Sequence, residues 1–320
     1  MAQNKRKLFI ILNPIAGKGK AIKAYPQIEN FLKKAGVEFE IVLTERPGHA
    51  LEIVRGGGAS AGETDVVTVA AGGDGTCNEV VNGLLTRQSG ANPSPPLLGI
   101  LPVGRGNDFA YSAQTPHEIE KALEILLESA TIPLDVGLVH GGFFPDGRYF
   151  VNGVGIGFDT KVGFEAAKMN IHSSLGYVFG AIVTVAKFES SPVLEIRHDD
   201  QSFVEPSALV SVVNGRRMGG SFFMGPNALL NDGLLDFCVI KHPHSRRRLV
   251  SIVLKYFEGR QIECEEATAG RGSRFFLKAL EGGMAAHCDG ETICFDGKEL
   301  TITCVPNALR LISGSKFIKQ

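Results

Sequence analysis

Four times within the first 110 residues a largely apolar run stops at a loop of Gly, Asn, Asp, Pro or Thr. Leu8–Leu12 leads into Asn13-Pro14-Ile15-Ala16-Gly17, and the alternating Val37, Phe39, Ile41 and Leu43 lead into Thr44. Asp65–Ala71 leads into Gly72-Gly73-Asp74-Gly75-Thr76, and Leu97–Leu101 into Pro102-Val103-Gly104-Arg105-Gly106-Asn107-Asp108. Short runs of this composition suit strands buried in a sheet. Helical patterns lie between them. Ile28, Phe31, Leu32 and Ala35 share a face that Gly36 ends; His49–Arg55 fits a short helix closed by Gly56-Gly57-Gly58; another helix runs from the Gly-Gly-Asp-Gly-Thr loop through Leu85. Thr115-Pro116-His117-Glu118 reads as a capping box ahead of the buried stripe Ile119, Ala122, Leu123, Leu126 and Leu127. Strands and helices that alternate through short loops build a parallel, doubly wound sheet, whose ligands bind beyond the carboxyl ends of the strands. All four loops fall at that edge.

After about residue 134 the texture changes. Short β-like runs at Tyr149–Val154, Val193–Arg197, Ala208–Val213, Leu234–Ile240, Arg274–Leu277 and Leu300–Val305 are separated by Gly, Asp and Asn turns, with Lys161–Phe188 and Leu249–Phe257 reading as helices. The fold class is therefore α/β: an N-terminal doubly wound α/β domain, residues 1–133, and a C-terminal β-rich sandwich domain, residues 134–306. The stretch 307–320, after Pro306, is placed to rejoin the first domain.

Composition narrows the function classes. Glycine, at 39 of 320 residues, is about 12% against an ordinary 7%, while apolar residues still make up 44%, so the excess belongs to turns of a folded chain. With 33 Lys+Arg against 34 Asp+Glu the net charge is −1, which argues against nucleic acid as a partner. The apolar stretch Leu8–Leu12 ends at Asn13-Pro14, too soon for a signal peptide, and no run approaches the roughly 18 residues of a membrane span. The expectation is a cytoplasmic protein. Cys77, Cys238, Cys264, Cys288, Cys294 and Cys304 show no C-x-x-C pair and read as buried thiols.

Small residues in Gly72-Gly73-Asp74-Gly75-Thr76 let backbone N–H groups approach an anion at the positive end of the following helix. Asp74 would repel a bare phosphate, so it points to a metal–nucleotide site; the alternative is a tight turn with Asp74 as helix N-cap. The segment Asn13–Lys20 resembles a phosphate-binding turn but departs from G-x-x-x-x-G-K-[ST] at Ala21, which argues against a P-loop NTPase and leaves Lys18 and Lys20 either near phosphates or solvated. The absence of G-x-G-x-x-G after the first strand lowers a nicotinamide dinucleotide reading. Asp232-Gly233 and Asp289-Gly290 read as hairpin turns, and Glu291 is a candidate general base should the fold bring it to the nucleotide edge.

Taken together, Asn13-Pro14 with Gly17, Gly72-Gly73-Asp74-Gly75-Thr76 with Asn78-Glu79-Val80 and Asn82-Gly83-Leu84, Leu98-Gly99-Ile100-Leu101-Pro102, Gly106-Asn107-Asp108-Phe109-Ala110, Asn152–Asp159, Asp232–Asp236 and Asp289-Gly290-Glu291 resemble the bacterial soluble lipid kinases that share the diacylglycerol kinase catalytic domain. The resemblance runs from about residue 8 to 312. It implies ATP- and Mg²⁺-dependent phosphoryl transfer to a lipid hydroxyl, with diacylglycerol as the type of acceptor and ATP held between the two domains. By motif position it implies nucleotide contacts at Asn13, Pro14, Gly17, Thr44, Gly72, Gly73, Asp74, Gly75, Thr76, Asn78, Glu79, Arg105 and Asn107. It further implies Glu291 as general base, Asp74 beside the catalytic Mg²⁺, Asp289 in the same catalytic group, and a structural Mg²⁺ held at Leu229, Asp232 and Leu234.

Arg105 stands where the family usually has Thr, as a phosphate partner or a solvated side chain. The apolar residues of Val162–Phe188 are candidates to line an acyl cleft or to pack on the sandwich, and Arg246-Arg247-Arg248 is a candidate headgroup contact. The partner expected is a lipid met in transient, peripheral membrane contact, and a homodimer is left open. Two other functions stay in view: a kinase for a soluble hydroxyl compound such as NAD, and a catalytically silent nucleotide- or lipid-binding regulator.

Overall fold

The structure is a computed structural model that describes residues 6–57, 65–87, 94–128, 130–168, 184–185 and 190–314. The chain divides into two compact units, Met1–Asp135 with Pro306–Gln320, and Val136–Val305.

In the first unit the order is β1 (Lys7–Leu12), α1 (Ala16–Ala35), β2 (Phe39–Leu43), α2 (His49–Arg55), β3 (Val66–Gly72), α3 (Asp74–Thr86), β4 (Leu97–Pro102), α4 (Asp108–Ser112) and α5 (Ile119–Leu127). The strands lie side by side as β2-β1-β3-β4, all parallel, and Arg310 and Leu311 extend the sheet beyond β4. Every residue of β3 and β4 is buried and so is Leu8–Leu12, as expected for strands covered on both faces. Strand β2 at the edge is only half-buried, with Leu43 exposed. Helix α1 buries Ala21, Ala24, Ile28 and Leu32 and stops at Gly36, whose φ of 62° is the left-handed value that glycine adopts without strain.

One helix start differs from expectation. Helix α5 begins at Ile119 with Glu118 as an N-cap that makes no side-chain bond, so the Thr115-Pro116 capping box is not formed. Thr115 closes α4 instead: its N–H donates to Ala110 O (2.8 Å) and the Gln114 N–H to Tyr111 O (3.1 Å), with Gln114 left-handed at φ 53°. This is a Schellman closure built on a residue other than glycine. The Thr115 N–H is spent on the helix before it, not on the helix after it.

Strand β5 (Thr131–Gly141) runs from the first unit into the second, which then carries β6 (Phe144–Phe150), β7 (Gly153–Gly157), α6 (Phe158–Lys168), β8 (Val193–His198), β9 (Gln201–Val213), β10 (Leu235–Lys241), α7 (Arg246–Glu258), β11 (Ala267–Gly272), β12 (Arg274–Glu281), β13 (Met284–Cys288) and β14 (Glu291–Gly297), and β15 (Glu299–Ile312) runs from the second unit back into the first. Strand β9 serves two sheets. Its first half pairs β8, which continues to β12 and β15; its second half, beyond Pro206, lies between β7 and β10 in the order β14-β13-β7-β9-β10-β11. Val154, Ile156, Val210 and Val212 from one sheet share a core with Leu194, Ile196, Phe275, Leu277, Leu300 and Ile302 from the other. On the opposite face Leu209, Val213, Cys238 and Ile240 pack against Phe158 and Val162 of α6 and Leu249, Ile252 and Tyr256 of α7. The result is the α/β chain with a β-rich sandwich that the sequence implies.

Several details differ. The run Tyr149–Val154 is broken at Val151-Asn152 into β6 and β7, and β5, β11, β13 and β14 were not legible as strands. Of the expected helix Lys161–Phe188, the structure shows α6 starting at Phe158 and reaching Lys168; residues 169–183 and 186–189, with Ile171, Leu175, Tyr177, Phe179 and Ile182, lie outside the described residues. All six cysteines are buried and free. Among the described residues no helix is long and apolar enough to cross a membrane.

Candidate functional site

The strand order β2-β1-β3-β4 reverses direction between β1 and β3, so the crevice for a ligand lies beyond the carboxyl ends of those two strands. Asn13, Pro14, Gly17, Thr44, Gly72–Thr76, Arg105 and Asn107 all sit at that edge of the first unit.

Hydrogen bonds and glycine contacts knit the loops together. The Asn13 N–H donates to Ala71 O (3.0 Å), its Oδ1 accepts the Ile15 N–H (3.2 Å) and its Nδ2 donates to Thr76 Oγ1 (3.3 Å). Thr44, buried, donates its N–H to Leu12 O (2.9 Å). The Gly72 carbonyl accepts the N–H groups of Val103 (3.1 Å) and Gly104 (3.0 Å). A Cβ on Gly104 would lie 2.3 Å from Gly73 Cα, and one on Gly17 would lie 2.5 Å from Val103 O. These loops close on one another only because glycine stands at both places. A Cβ on Gly75, by contrast, would meet nothing within 4 Å. Gly17, Lys18 and Gly19 are all left-handed, with φ 60°, 61° and 80°, and Lys18 and Lys20 are exposed.

Three polar residues at this edge hold structure as well as face it. Asp74 is the first residue of α3, whose N-cap is Gly73, and its Oδ1 accepts the Phe109 N–H (2.9 Å). It therefore caps α4 across the edge rather than its own helix. The Glu79 carboxylate accepts the N–H groups of Gly48 (2.8 Å) and Ala50 (3.0 Å) and so caps α2. Asn107, left-handed at φ 52°, donates from Nδ2 to Gly104 O (3.2 Å), and its buried Oδ1 has no hydrogen-bond partner among the described residues. Asn78 is fully buried, and Asn82 Nδ2 donates to its carbonyl (2.9 Å) and to its Oδ1 (3.2 Å) one turn along α3. Arg105 is exposed.

In the second unit β13 and β14 meet at a two-residue turn, Asp289-Gly290, with φ 46° and 88°. Both values are left-handed, the requirement of a type I′ hairpin that Asp-Gly fulfils. The Asp289 carboxylate does more than shape this turn. It accepts the N–H groups of Val151 (2.9 Å), Asn152 (3.0 Å) and Gly153 (2.9 Å), while Asn214 Nδ2 donates to Val151 O (3.3 Å). The break between β6 and β7 is thus filled by a carboxylate 136 to 138 residues away in sequence. Glu291, the first residue of β14, is exposed.

His287 was not singled out from the sequence, and Asp159 entered only as the last residue of the Asn152–Asp159 motif, with no role. His287 Nε2 lies 2.9 Å from Asp159 Oδ2, and His287 Nδ1 lies 3.4 Å from the Gly290 N. Burial pulls the His287 pKa down, but the Asp159 carboxylate, with Asp289 behind it, leaves it raised. The signals in the sequence were a histidine two positions before Asp289-Gly290-Glu291 and an aspartate closing the Asn152–Asp159 motif.

The proposed metal residues Leu229, Asp232 and Leu234 belong to the loop ahead of β10. Asp232 Oδ1 accepts the Leu234 N–H (3.1 Å) and its Oδ2 pairs with Arg271 (3.2 Å). Burial, reinforced by the Asp232 charge and opposed by Arg271 and Arg216, pushes the Asp236 carboxyl up to about 6. Two carboxylates and backbone carbonyls are the donors a hard cation takes, although Arg271 already answers Asp232.

A family model for the diacylglycerol kinase catalytic domain matches residues 7–139, and one for the YegS C-terminal NAD kinase beta sandwich-like domain matches residues 152–313. A YegS-like lipid kinase of Citrobacter koseri is 31% identical over 304 residues, 94% of each chain. The diacylglycerol kinase of Bacillus subtilis is 30% identical over 289 residues, 88% of each. A diacylglycerol kinase structure from Bacillus anthracis superposes with a TM-score of 0.70 over 98% of both chains at 22% identity.

Proposed function

The chain belongs to the bacterial lipid kinases of the diacylglycerol kinase catalytic-domain family, and from that premise we propose that it transfers the γ-phosphoryl group of ATP to a lipid hydroxyl of the diacylglycerol type. The observation that carries this reading is the glycine-closed edge at the β1/β3 reversal, where Gly73 and Gly104 touch and the first turn of α3 presents N–H groups that have no partner inside the helix.

The residues present suit a nucleotide with a divalent cation. Glycine leaves room for phosphate oxygens at Gly75, the unpartnered Asn107 Oδ1 is a buried acceptor at the same edge, and Asp74 supplies a negative charge beside the helix N-terminus. Bound Mg²⁺ would neutralise the charge of the β- and γ-phosphates. In this reading Asp74 is the residue that favours the cation, and the backbone of Gly72–Thr76 and Asn13–Gly17 orients the phosphates. Glu79 and Asn78 act from behind, Glu79 by fixing the loop after Thr44 and Asn78 through its hydrogen bonds with Asn82 in α3. Arg105 is assigned to a phosphate; an unchanged ATP KM and kcat in Arg105→Ala would remove it.

Glu291 is the proposed general base. Its carboxylate takes the proton of the acceptor hydroxyl, whose oxygen bonds to the γ-phosphorus as the bond to the ADP oxygen breaks. Asp289 cannot share this task while its oxygens hold three N–H groups, so its role is to set the turn. A structural Mg²⁺ at Leu229, Asp232 and Leu234 would sit beside Asp236. We further assign the protein to the cytoplasm, with peripheral contact at the bilayer that carries its acceptor.

The deciding experiment is an acceptor panel with labelled ATP, comparing wild type and Glu291→Gln on diacylglycerol, phosphatidylglycerol, sphingosine and ceramide in mixed micelles and on NAD in solution. Labelled lipid with wild type, lost with Glu291→Gln, is expected. Labelled NAD alone would assign the soluble acceptor, and no product at all would leave a silent binding protein.

A further inference from the structure

The hairpin that carries Glu291 is gripped from both sides. Asp289 holds the hairpin to the β6/β7 break through three N–H groups. The second grip runs through His287. A backbone N–H can only donate, so in the contact with Gly290 the ring Nδ1 must accept. The hydrogen of the neutral ring is then on Nε2, where Asp159 Oδ2 accepts it at 2.9 Å. The chain Asp159–His287–Gly290 thereby links the start of α6 to the residue directly before Glu291.

This link has a built-in steric condition. Gly155 faces His287 across the β7–β13 ladder, and a Cβ there would lie 2.0 Å from Asp159 Oδ2 and 2.6 Å from His287 Nε2. Any side chain at 155 would occupy the contact itself. The pair exists because β7 leaves that space open.

We propose that His287, oriented by Asp159 and accepting the Gly290 N–H, is a positioning residue for Glu291, and that protonation of its ring releases the turn. A proton on Nδ1 converts the acceptor into a donor, so the Gly290 N–H loses its partner while the Nε2–Asp159 contact strengthens into an ion pair. Among the described residues the charged groups facing the ring are Asp159 from α6 and Asp289 from the turn; β7 presents Gly155 and β14 presents the neutral Thr292. Tyr256 of α7 faces Asp159 and stays protonated, because burial and the nearby Cys238 and Asp159 raise its pKa. Asp159 therefore sets the pH at which release occurs, and it sets it higher than burial alone would.

This inference rests on the assignment of Glu291 as base, and its test separates the two. In protein labelled at histidine and glycine, NMR follows the His287 ring and the Gly290 amide through a pH titration. Lipid phosphorylation is measured over the same range with dioleoylglycerol in mixed micelles. The ring should be the Nε2–H tautomer, the Gly290 amide should shift with the ring's midpoint, and kcat should fall on the acid side at that midpoint. Asp159→Asn, which keeps an acceptor but removes the charge, should move all three midpoints to lower pH together. His287→Gln should lower kcat about tenfold with the ATP KM unchanged and a melting curve showing a folded protein. A Gly290 amide blind to the His287 titration, or an acid limb that stays in place in Asp159→Asn, overturns the proposal. If wild type phosphorylates no lipid, the functional reading fails, and the NMR titration alone decides whether His287 holds the turn.

Discussion

At the scale of single residues, the carboxylates separate into those that are occupied and those that are available. Asp74 combines two roles, since Oδ1 caps α4 while the charge faces the proposed nucleotide edge. Asparagine keeps the acceptor and loses the charge, so Asp74→Asn is expected to lower kcat at least a hundredfold with little change in melting temperature, whereas Asp74→Ala should also lose about 1 kcal/mol of stability with the cap. A thermal melt beside the kinase assay distinguishes the two. Asp236 behaves in the opposite way. Its carboxyl, pushed up to about 6 mainly by burial, binds a proton more tightly in the folded chain than in the unfolded one, whose value is near 3.8. The stability this proton confers is complete below the unfolded value and is lost as pH rises through about 6. In protein freed of divalent cations, Asp236→Asn is therefore expected to melt higher than wild type at pH 7 and to flatten the decline between pH 4 and 6. The glycine-rich motifs and the carboxylates were all legible residue by residue. What each carboxylate touches was not, because its partners lie 35 residues away for Asp74 and more than 130 for Asp289.

At the scale of elements, strand type depended on cover. Strands β1, β3 and β4 are buried throughout and could be read from unbroken apolar runs. Strands β11 and β14, with mixed burial and Arg, Glu and Gly within them, give no such run. Helix α5 kept its apolar stripe, but its start moved because the Thr115 N–H was claimed by α4. The four-loop edge depends on close approach, with Gly73 and Gly104 in contact. Gly104→Ala must push the loops after β3 and β4 apart, and is expected to cost about 1–3 kcal/mol and raise the ATP KM tenfold or more. Urea denaturation and ATP titration would check this; an unchanged KM would show that the close approach does not shape the nucleotide site.

For the whole molecule, ligand linkage gives the broadest test. If MgATP binds the folded chain alone, a hundredfold excess over Kd should stabilise it by about 2.7 kcal/mol, seen as a concentration-dependent rise in melting temperature. ATP with a chelator should give a smaller rise, and Asp74→Asn should narrow the gap between the two conditions. The sequence by itself determined the α/β class, the strand-end loops and the family, because buried runs, turn glycines and motif order are local properties of the chain. Only the tertiary structure decided that β9 serves two sheets, that Asp289 fills the gap between β6 and β7, and that Asp159 meets His287 across a missing Cβ at Gly155. Each of these is a contact between residues far apart in the chain, set by packing and by which backbone N–H groups the ladders leave unpaired, and neither quantity is written in any single stretch of sequence.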